Sequence, residues 1–331
     1  MLSHHNPVRK KPDRVVILGS HGFIGRHLRH WCDANGLACL AIGTNDVDLS
    51  ETSNVHHLAS LLRPGDAVVM TSILTPEKGR DYLTTMRNLR MVETVCRALA
   101  ETPCSHFLYL SSDAVYDAHK IPLDEESTRE PIDLYALCHT GREMMLSAEL
   151  SRLMIPLCIF RLTMVYGSGD THNAYGPNRF VRTAIVDGKI LLFGKGEEKR
   201  SHIFIEDVIQ LTGLALEYRS AGTLNVATQF SVSFAKIAQI VIDLVGGPVR
   251  LEYAPRTIAA IHPPYKLTQF FRFIYNLGRP ISSVVHRTFV NKAVFAAFPE
   301  FHFTPLKDGL AKLVDAEQAC SAYSEARRKE Y

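Results

Sequence analysis

The stretch RVVILGSHGFIGRHLRHWCDANG (residues 14–36) carries a strand, a turn and a helix in one continuous reading. Residues 14–20 are a short aliphatic, β-branched run that suits a strand buried on both faces. From residue 23 the period changes, with Ile24, Leu28 and Trp31 at helical spacing and Gly36 placed to end the helix. Between the two periods stand Gly19, Gly22 and Gly25. Glycines at a strand-to-helix turn allow a tight bend, let backbone approach a pyrophosphate, and bring helix and strand together, while the helix N-terminus attracts phosphate charge. The stretch predicts the first βα unit of a dinucleotide-binding fold.

The same alternation continues outward. Residues 37–42, 66–72, 106–112 and 156–166 read as strands, and residues 80–101 and 134–150 as amphipathic helices, the order expected of a parallel sheet with crossover helices. Beyond Gly167 the texture becomes rich in Gly, Pro and Asn, which marks a second, smaller lobe. Residues 200–228 then return as strand, helix and strand. The fold class expected is therefore α/β, a Rossmann-type doubly wound parallel sheet with an interleaved C-terminal substrate lobe. Residues 14–167 with 200–228 form the sheet domain, residues 168–199 and 229–331 the lobe, and residues 1–13 a flexible basic tail.

The chain has 331 residues, 46% of them hydrophobic, and a net charge of +3. That charge is too mild to make nucleic acid a default partner. Seven scattered cysteines with no CxxC pair favour free thiols in a reducing, cytoplasmic compartment. No apolar run is long enough to span a membrane.

Asp46 falls about twenty residues beyond Gly25, where a carboxylate binds the adenosine ribose. Asp48 and Leu49 are candidates for the adenine edge. Phe23 and Ile24 in the turn, with Thr71 and Ser72 at the end of the third strand, complete the expected cofactor set. No arginine follows the second strand to support a 2′-phosphate, so NAD is favoured and NADP stays open.

Two further motifs, YLSSDAVYD (residues 109–117) and YALCH (residues 135–139), complete a pattern with the glycines. Together they resemble the extended short-chain dehydrogenase/reductase family of nucleotide-sugar epimerases, dehydratases and reductases, over roughly residues 14–313. The resemblance implies that Tyr135 is the base for a sugar hydroxyl, that Ser112 is the partner hydroxyl, and that a nucleotide diphosphate sugar is the substrate of a homodimer. It also implies a lysine four residues after the tyrosine, which would bind the nicotinamide ribose and supply positive charge. Here that position is His139. A neutral imidazole keeps a donor and an acceptor for the ribose but contributes no fixed charge, so His139 is expected to preserve cofactor positioning while weakening the push that ionises Tyr135. No metal-ligand cluster accompanies it.

Asp113 is read either as an acid toward the sugar or as a turn cap. Because Ala114 follows it where the similar dehydratases carry glutamate, epimerisation or simple oxidation and reduction are favoured over elimination. By resemblance Asn178, Arg179 and Arg200 approach the diphosphate, and Met164 replaces an asparagine that often does. Residues 253–299 contain no Asp or Glu but six basic residues interleaved with aromatics. They suggest an anion-binding wall or, through residues 265–280, contact with a membrane surface. The alternative to an enzyme is a cofactor-binding regulatory or scaffold protein of the same fold, its chemistry lost with the lysine.

Overall fold

The computed structural model describes residues 2–117, 121–170, 176–255 and 284–329, with side chains described as far as residue 321. The segment 265–280 lies outside them. In the described residues the chain runs from β1 (Ser3–His4) and β2 (Arg14–Leu18) into α1 (Phe23–Ala34), then β3 (Cys39–Ile42), α2 (Val55–Leu61) and β4 (Asp66–Met70). It continues through α3 (Tyr82–Glu101), β5 (His106–Ser112), a short 3-10 turn (Asp113–Val115), α4 (Leu134–Arg152) and β6 (Leu157–Leu162). The seven-stranded sheet has the order β1-β11-β6-β5-β4-β2-β3, where β11 is Ser220–Val226. All its pairings are parallel except that of β1 with β11. The order reverses between β2 and β4, and in such sheets the crevice beyond the strand ends at that point receives ligands.

Strand alternation builds a core on each face of the sheet. Val15, Ile17, Ala67, Val69, Leu108 and Leu110 belong to one core layer. Val16, Leu18, Val68, Met70, Phe107 and Tyr109 belong to the other, with Val92, Val95 and Leu99 of α3 and Leu146 and Leu150 of α4. This parity puts Tyr109 under α4, a placement the site depends on. Both long helices start on a carboxylate cap: Asp81 accepts from Thr84 N and Asp133 from Ala136 N, each at 2.8 Å. Gly36 ends α1 with a φ of +62°.

Two expectations change. The N-terminal residues are not a loose tail, because Ser3–His4 pairs with β11 and extends the sheet. A sheet edge offers unpaired backbone groups to any adjacent segment. The docking is reinforced by the His4 ring stacked on Tyr218 at 4.6 Å and by Arg9 on Glu217 at 2.5 Å. The strand read as residues 156–166 is two strands. Thr163 interrupts it, its hydroxyl turned to the Val226 carbonyl at 3.1 Å, and β7 (Met164–Tyr166) leaves the main sheet to pair with β10 (His202–Phe204).

The lobe contains α5 (Gly176–Asp187), β8 (Lys189–Phe193), β9 (Lys199–Arg200), α7 (Phe234–Val245) and β13 (Arg250–Ala254), with β12 (Val232–Ser233) paired to β9. Between its parts α6 (Ile205–Glu217) and β11 return to the sheet, and α8 (Lys292–Ala297) and α9 (Leu306–Lys329) close the described chain. All seven cysteines are free thiols.

Three buried histidines make the fold sensitive to acid. Burial lowers His106 to about 4 and both His139 and His202 to about 3. Each folded-state value lies below the ordinary one near 6.5, so the stability they contribute is complete above that pH and is lost as the pH falls toward the folded values, by up to ~1.4 kcal/mol per pH unit and group. A thermal melting series should therefore fall steeply from about pH 6.5 to 4.5, and His202→Asn should flatten it. A wild-type melting temperature constant over that range would contradict the burial argument.

Candidate active site

The turn between β2 and α1 has no room for side chains where Gly19 and Gly25 stand. A Cβ on Gly19 would lie 2.7 Å from both Ser72 N and Thr71 Oγ1, and one on Gly25 would lie 2.3 Å from the Gly19 carbonyl oxygen. The Gly19 φ of +96° independently requires glycine. Gly22 caps α1 without any side chain to occupy its first-turn N–H groups, and no acidic residue stands in that turn. Those free donors and the close backbone approach fit a dinucleotide diphosphate. Phe23 and Ile24 are half-buried and pack against the core behind the turn.

At the β3 end Asp46 is exposed and accepts from Gly43 N at 2.8 Å, while Asp48 accepts from Ser50 N and Oγ at 2.9 and 2.7 Å. Leu49 is buried in the core. Thr71 spends its hydroxyl on the Leu18 and Gly19 carbonyls, whereas Ser72 Oγ is buried without a partner.

Ser112 ends β5. Its oxygen accepts from Ala114 N at 3.1 Å, and its own proton has no acceptor among the described residues. That hydroxyl can donate to an incoming oxygen. Asp113 differs: Arg287 Nη1 reaches both its carbonyl and its carboxylate, at 2.7 and 2.9 Å. The carboxylate read as an acid toward the sugar is therefore held in an ion pair with a residue of the C-terminal segment.

Behind these residues lies a network that the sequence reading missed. Ser111 donates to Glu143 at 2.6 Å, Arg161 holds the same carboxylate at 2.8 and 3.0 Å, and Arg161 also donates to Tyr116 OH at 2.7 Å. Tyr116 in turn donates to Asn225 at 2.7 Å. β5, α4, β6 and β11 are tied together just behind Ser112. The visible signal was an arginine inside the apolar strand CIFRL and a glutamate two turns after Tyr135.

Tyr135, His139 and Arg142 share one face of α4. Tyr135 lines a cavity of about 70 Å³ with Leu74, Pro76, Asn88 and Cys138, and its ring meets that of His139 edge-on at 4.7 Å. His139 is only 2% exposed. Its Nδ1 lies 2.8 Å from Tyr109 OH, and its Nε2 is buried with no partner. Tyr109 is wholly buried, and its phenol is pushed up by that burial, so it keeps its proton. The hydroxyl has no other acceptor among the described residues, so Tyr109 donates to Nδ1 and the ring proton sits on Nε2. Burial, and after it the charge of Arg142, lowers His139 to about 3, leaving it neutral. Only a donor is therefore free on this ring, not the donor and acceptor expected. Nitrogen NMR of His139 should report the Nε2–H tautomer, and Tyr109→Phe should redistribute the proton to Nδ1. A dominant Nδ1–H form in the wild-type protein would contradict the assignment.

The residues expected on the diphosphate are partly committed. Asn178 is buried, accepts from Gly167 N at 3.1 Å and donates to Asp170, so it staples residues 167–170. Arg200 is bridged to Glu198 at 2.5 Å. Arg179 is half-buried near the start of α5, and Met164 is half-buried on β7.

The family model for the NAD dependent epimerase/dehydratase family matches residues 15–227. The chain belongs to that family. A dTDP-4-dehydro-6-deoxy-D-allose reductase of Streptomyces bikiniensis is 23% identical over 83% of this chain and 94% of its own. A dTDP-D-glucose 4,6-dehydratase of Dictyostelium discoideum is 20% identical over 70% of this chain, and the match spans 62% of that protein's length. Among solved structures, the UDP-glucose 4-epimerase of Thermus thermophilus in complex with NAD superposes with a TM-score of 0.72 at 19% identity, over 92% of this chain and 99% of that one. The glycine turn and the face of α4 are thus parts of an epimerase/dehydratase fold, with a histidine four residues after the tyrosine.

Proposed function

We propose that the protein is an NAD-dependent enzyme that acts on a nucleotide diphosphate sugar by hydride transfer, as an epimerase or a related oxidoreductase. The reading rests chiefly on the face of α4, where Tyr135 stands beside a neutral imidazole whose buried Nε2–H is unsatisfied, as Ser72 Oγ is at the end of β4. A buried donor without a partner is expensive, and a ribose hydroxyl would satisfy it. The bare turn at Gly19, Gly22 and Gly25 would hold the diphosphate and Asp46 the adenosine ribose. Bound NAD would supply the hydride acceptor.

The chain itself supplies orientation and proton transfer. Ser112 donates its unengaged proton to the substrate oxygen and holds it in line, and Tyr135 as tyrosinate takes the hydroxyl proton. His139 fixes the cofactor ribose by hydrogen bonding. With the Asp113 carboxylate bound by Arg287 and Ala114 beside it, neither position offers an acid to a leaving hydroxyl, which favours epimerisation or oxidation and reduction over dehydration. The names of the relatives support a nucleotide-sugar substrate. Exposed Tyr82, Leu83 and Met86 on α3 and Leu137 and Met144 on α4 support a homodimer, and the free thiols support a cytoplasmic setting.

Incubation with NAD and a panel of nucleotide sugars, read by mass and NMR, tests the proposal. Unchanged mass indicates an epimer, a hydride gained or lost indicates an oxidoreductase, and loss of water indicates a dehydratase. Tyr135→Phe should lower turnover by about 10²–10⁴ with little change in cofactor affinity. Full turnover in that variant would overturn the assignment of the base.

A further inference from the structure

Arg142 has no place in the chemistry above, yet among the described residues it is the largest wholly buried side chain. Its Nη2 donates to the Ser72 carbonyl at 2.7 Å and meets the Met70 sulfur at 3.5 Å, while Nε and Nη1 have no partner. No carboxylate forms an ion pair with it among the described residues. Its guanidinium lies over the Tyr109 ring, 5.1 Å from the centroid. A buried cation with two unsatisfied nitrogens destabilises a fold unless something is gained by its field.

The surroundings leave that field uncancelled. On α4 the titratable neighbours are Tyr135, Cys138, His139 and Glu143, on β5 Tyr109, β4 and the residues after it contribute Met70 and the backbone of Ser72, and Arg80 before α3 and Asp133 at the start of α4 line the cavity beside Tyr135. Glu143 is the buried carboxylate of the set, and Arg161, Ser111 and Arg129 already occupy it. Cys138 and Tyr109 keep their protons, pushed up by burial, and His139 is neutral. Glu143 is compensated by Arg161 and Arg129, and Arg80 and Asp133 stand at the cavity where solvent screens them, so among these groups the wholly buried charge without an ion-pair partner is the Arg142 guanidinium. It stands two turns from Tyr135 on the same helical face, in a dry seam where screening is weak.

We infer that Arg142 is a fixed, buried positive charge of the site, a positioning residue that favours the tyrosinate form of Tyr135 through space while His139 acts by hydrogen bonding alone. The inference rests on the reading of Tyr135 as the base. One cation beyond the expected position thus replaces the charge that a lysine at position 139 would carry, and the sequence expectation of a weakened push on Tyr135 is revised. The sign follows from the chemistry: a nearby cation stabilises phenolate, so removing it moves the ionisation of Tyr135 to higher pH.

The test compares Arg142→Met, which keeps the bulk and removes the charge, with Arg142→Lys, which keeps the charge. Tyrosinate absorbance, taken as the difference from Tyr135→Phe, gives the midpoint of Tyr135 without turnover. Arg142→Met should raise that midpoint by about one pH unit or more and shift the pH profile of kcat/KM equally, lowering it about tenfold at neutral pH, with Arg142→Lys close to wild type. The Met variant should also melt at a higher temperature than wild type, because an uncompensated buried charge has gone. A midpoint unmoved by Arg142→Met, equal shifts in both variants, or a Met variant that melts lower or fails to fold each overturns the inference. If Tyr135→Phe retains turnover, the base assignment falls instead, whatever the midpoint shows.

Discussion

The hydrogen bond from Tyr109 to His139 is made in the seam between β5 and α4, and the working face of the helix is set by it. Parity along β5 sends Tyr109 to that side of the sheet, and helical spacing puts Tyr135, His139 and Arg142 in one column above it. The bond is buried at both ends, so neither partner can exchange it for water. Breaking it would leave a phenol and an imidazole unsatisfied together. Ring orientation, tautomer and the approach of α4 to the sheet are consequently one constraint.

Adjacent residues on α4 treat buried charge in opposite ways. Glu143 is saturated by Arg161, Ser111 and Arg129, and the resulting network braces the strand end that carries Ser112. Arg142, one residue earlier, keeps its charge in a dry setting with a single strong acceptor, the Ser72 carbonyl. The first arrangement fixes geometry at little electrostatic consequence beyond itself. The second sacrifices stability for a field directed at the tyrosine, as buried groups near reacting centres do. Under the proposed function, the two tasks that a lysine would combine, binding a ribose and supplying charge, fall to His139 and Arg142.

Much of this was legible in residues 14–36 and in the alternating runs that follow, because strand and helix periods, glycine turns and carboxylate caps are local properties. Ser112, Tyr135 and His139 became candidates through the resemblance carried by YLSSDAVYD and YALCH. What could not be read depends on contacts distant in sequence. The pairing of Ser3–His4 with β11 and the capture of Asp113 by Arg287 join residues more than 170 positions apart. The tautomer of His139 depends on a strand residue thirty positions away. Arg142 stood in plain view in CHTGREMM, but a solvated arginine and a buried unpaired one look identical until the helix is docked.

The most direct measurement is the effect of His139→Lys on the Tyr135 midpoint, taken once in the wild-type background and once in Arg142→Met. If charge and hydrogen bonding are divided between the two positions, the new lysine changes the midpoint little where Arg142 already supplies a field. It restores the midpoint toward the wild-type value where Arg142 is gone, so the two substitutions are strongly non-additive. Equal shifts in both backgrounds would mean that the two positions do not share a task, and would contradict the division of the lysine's work between them.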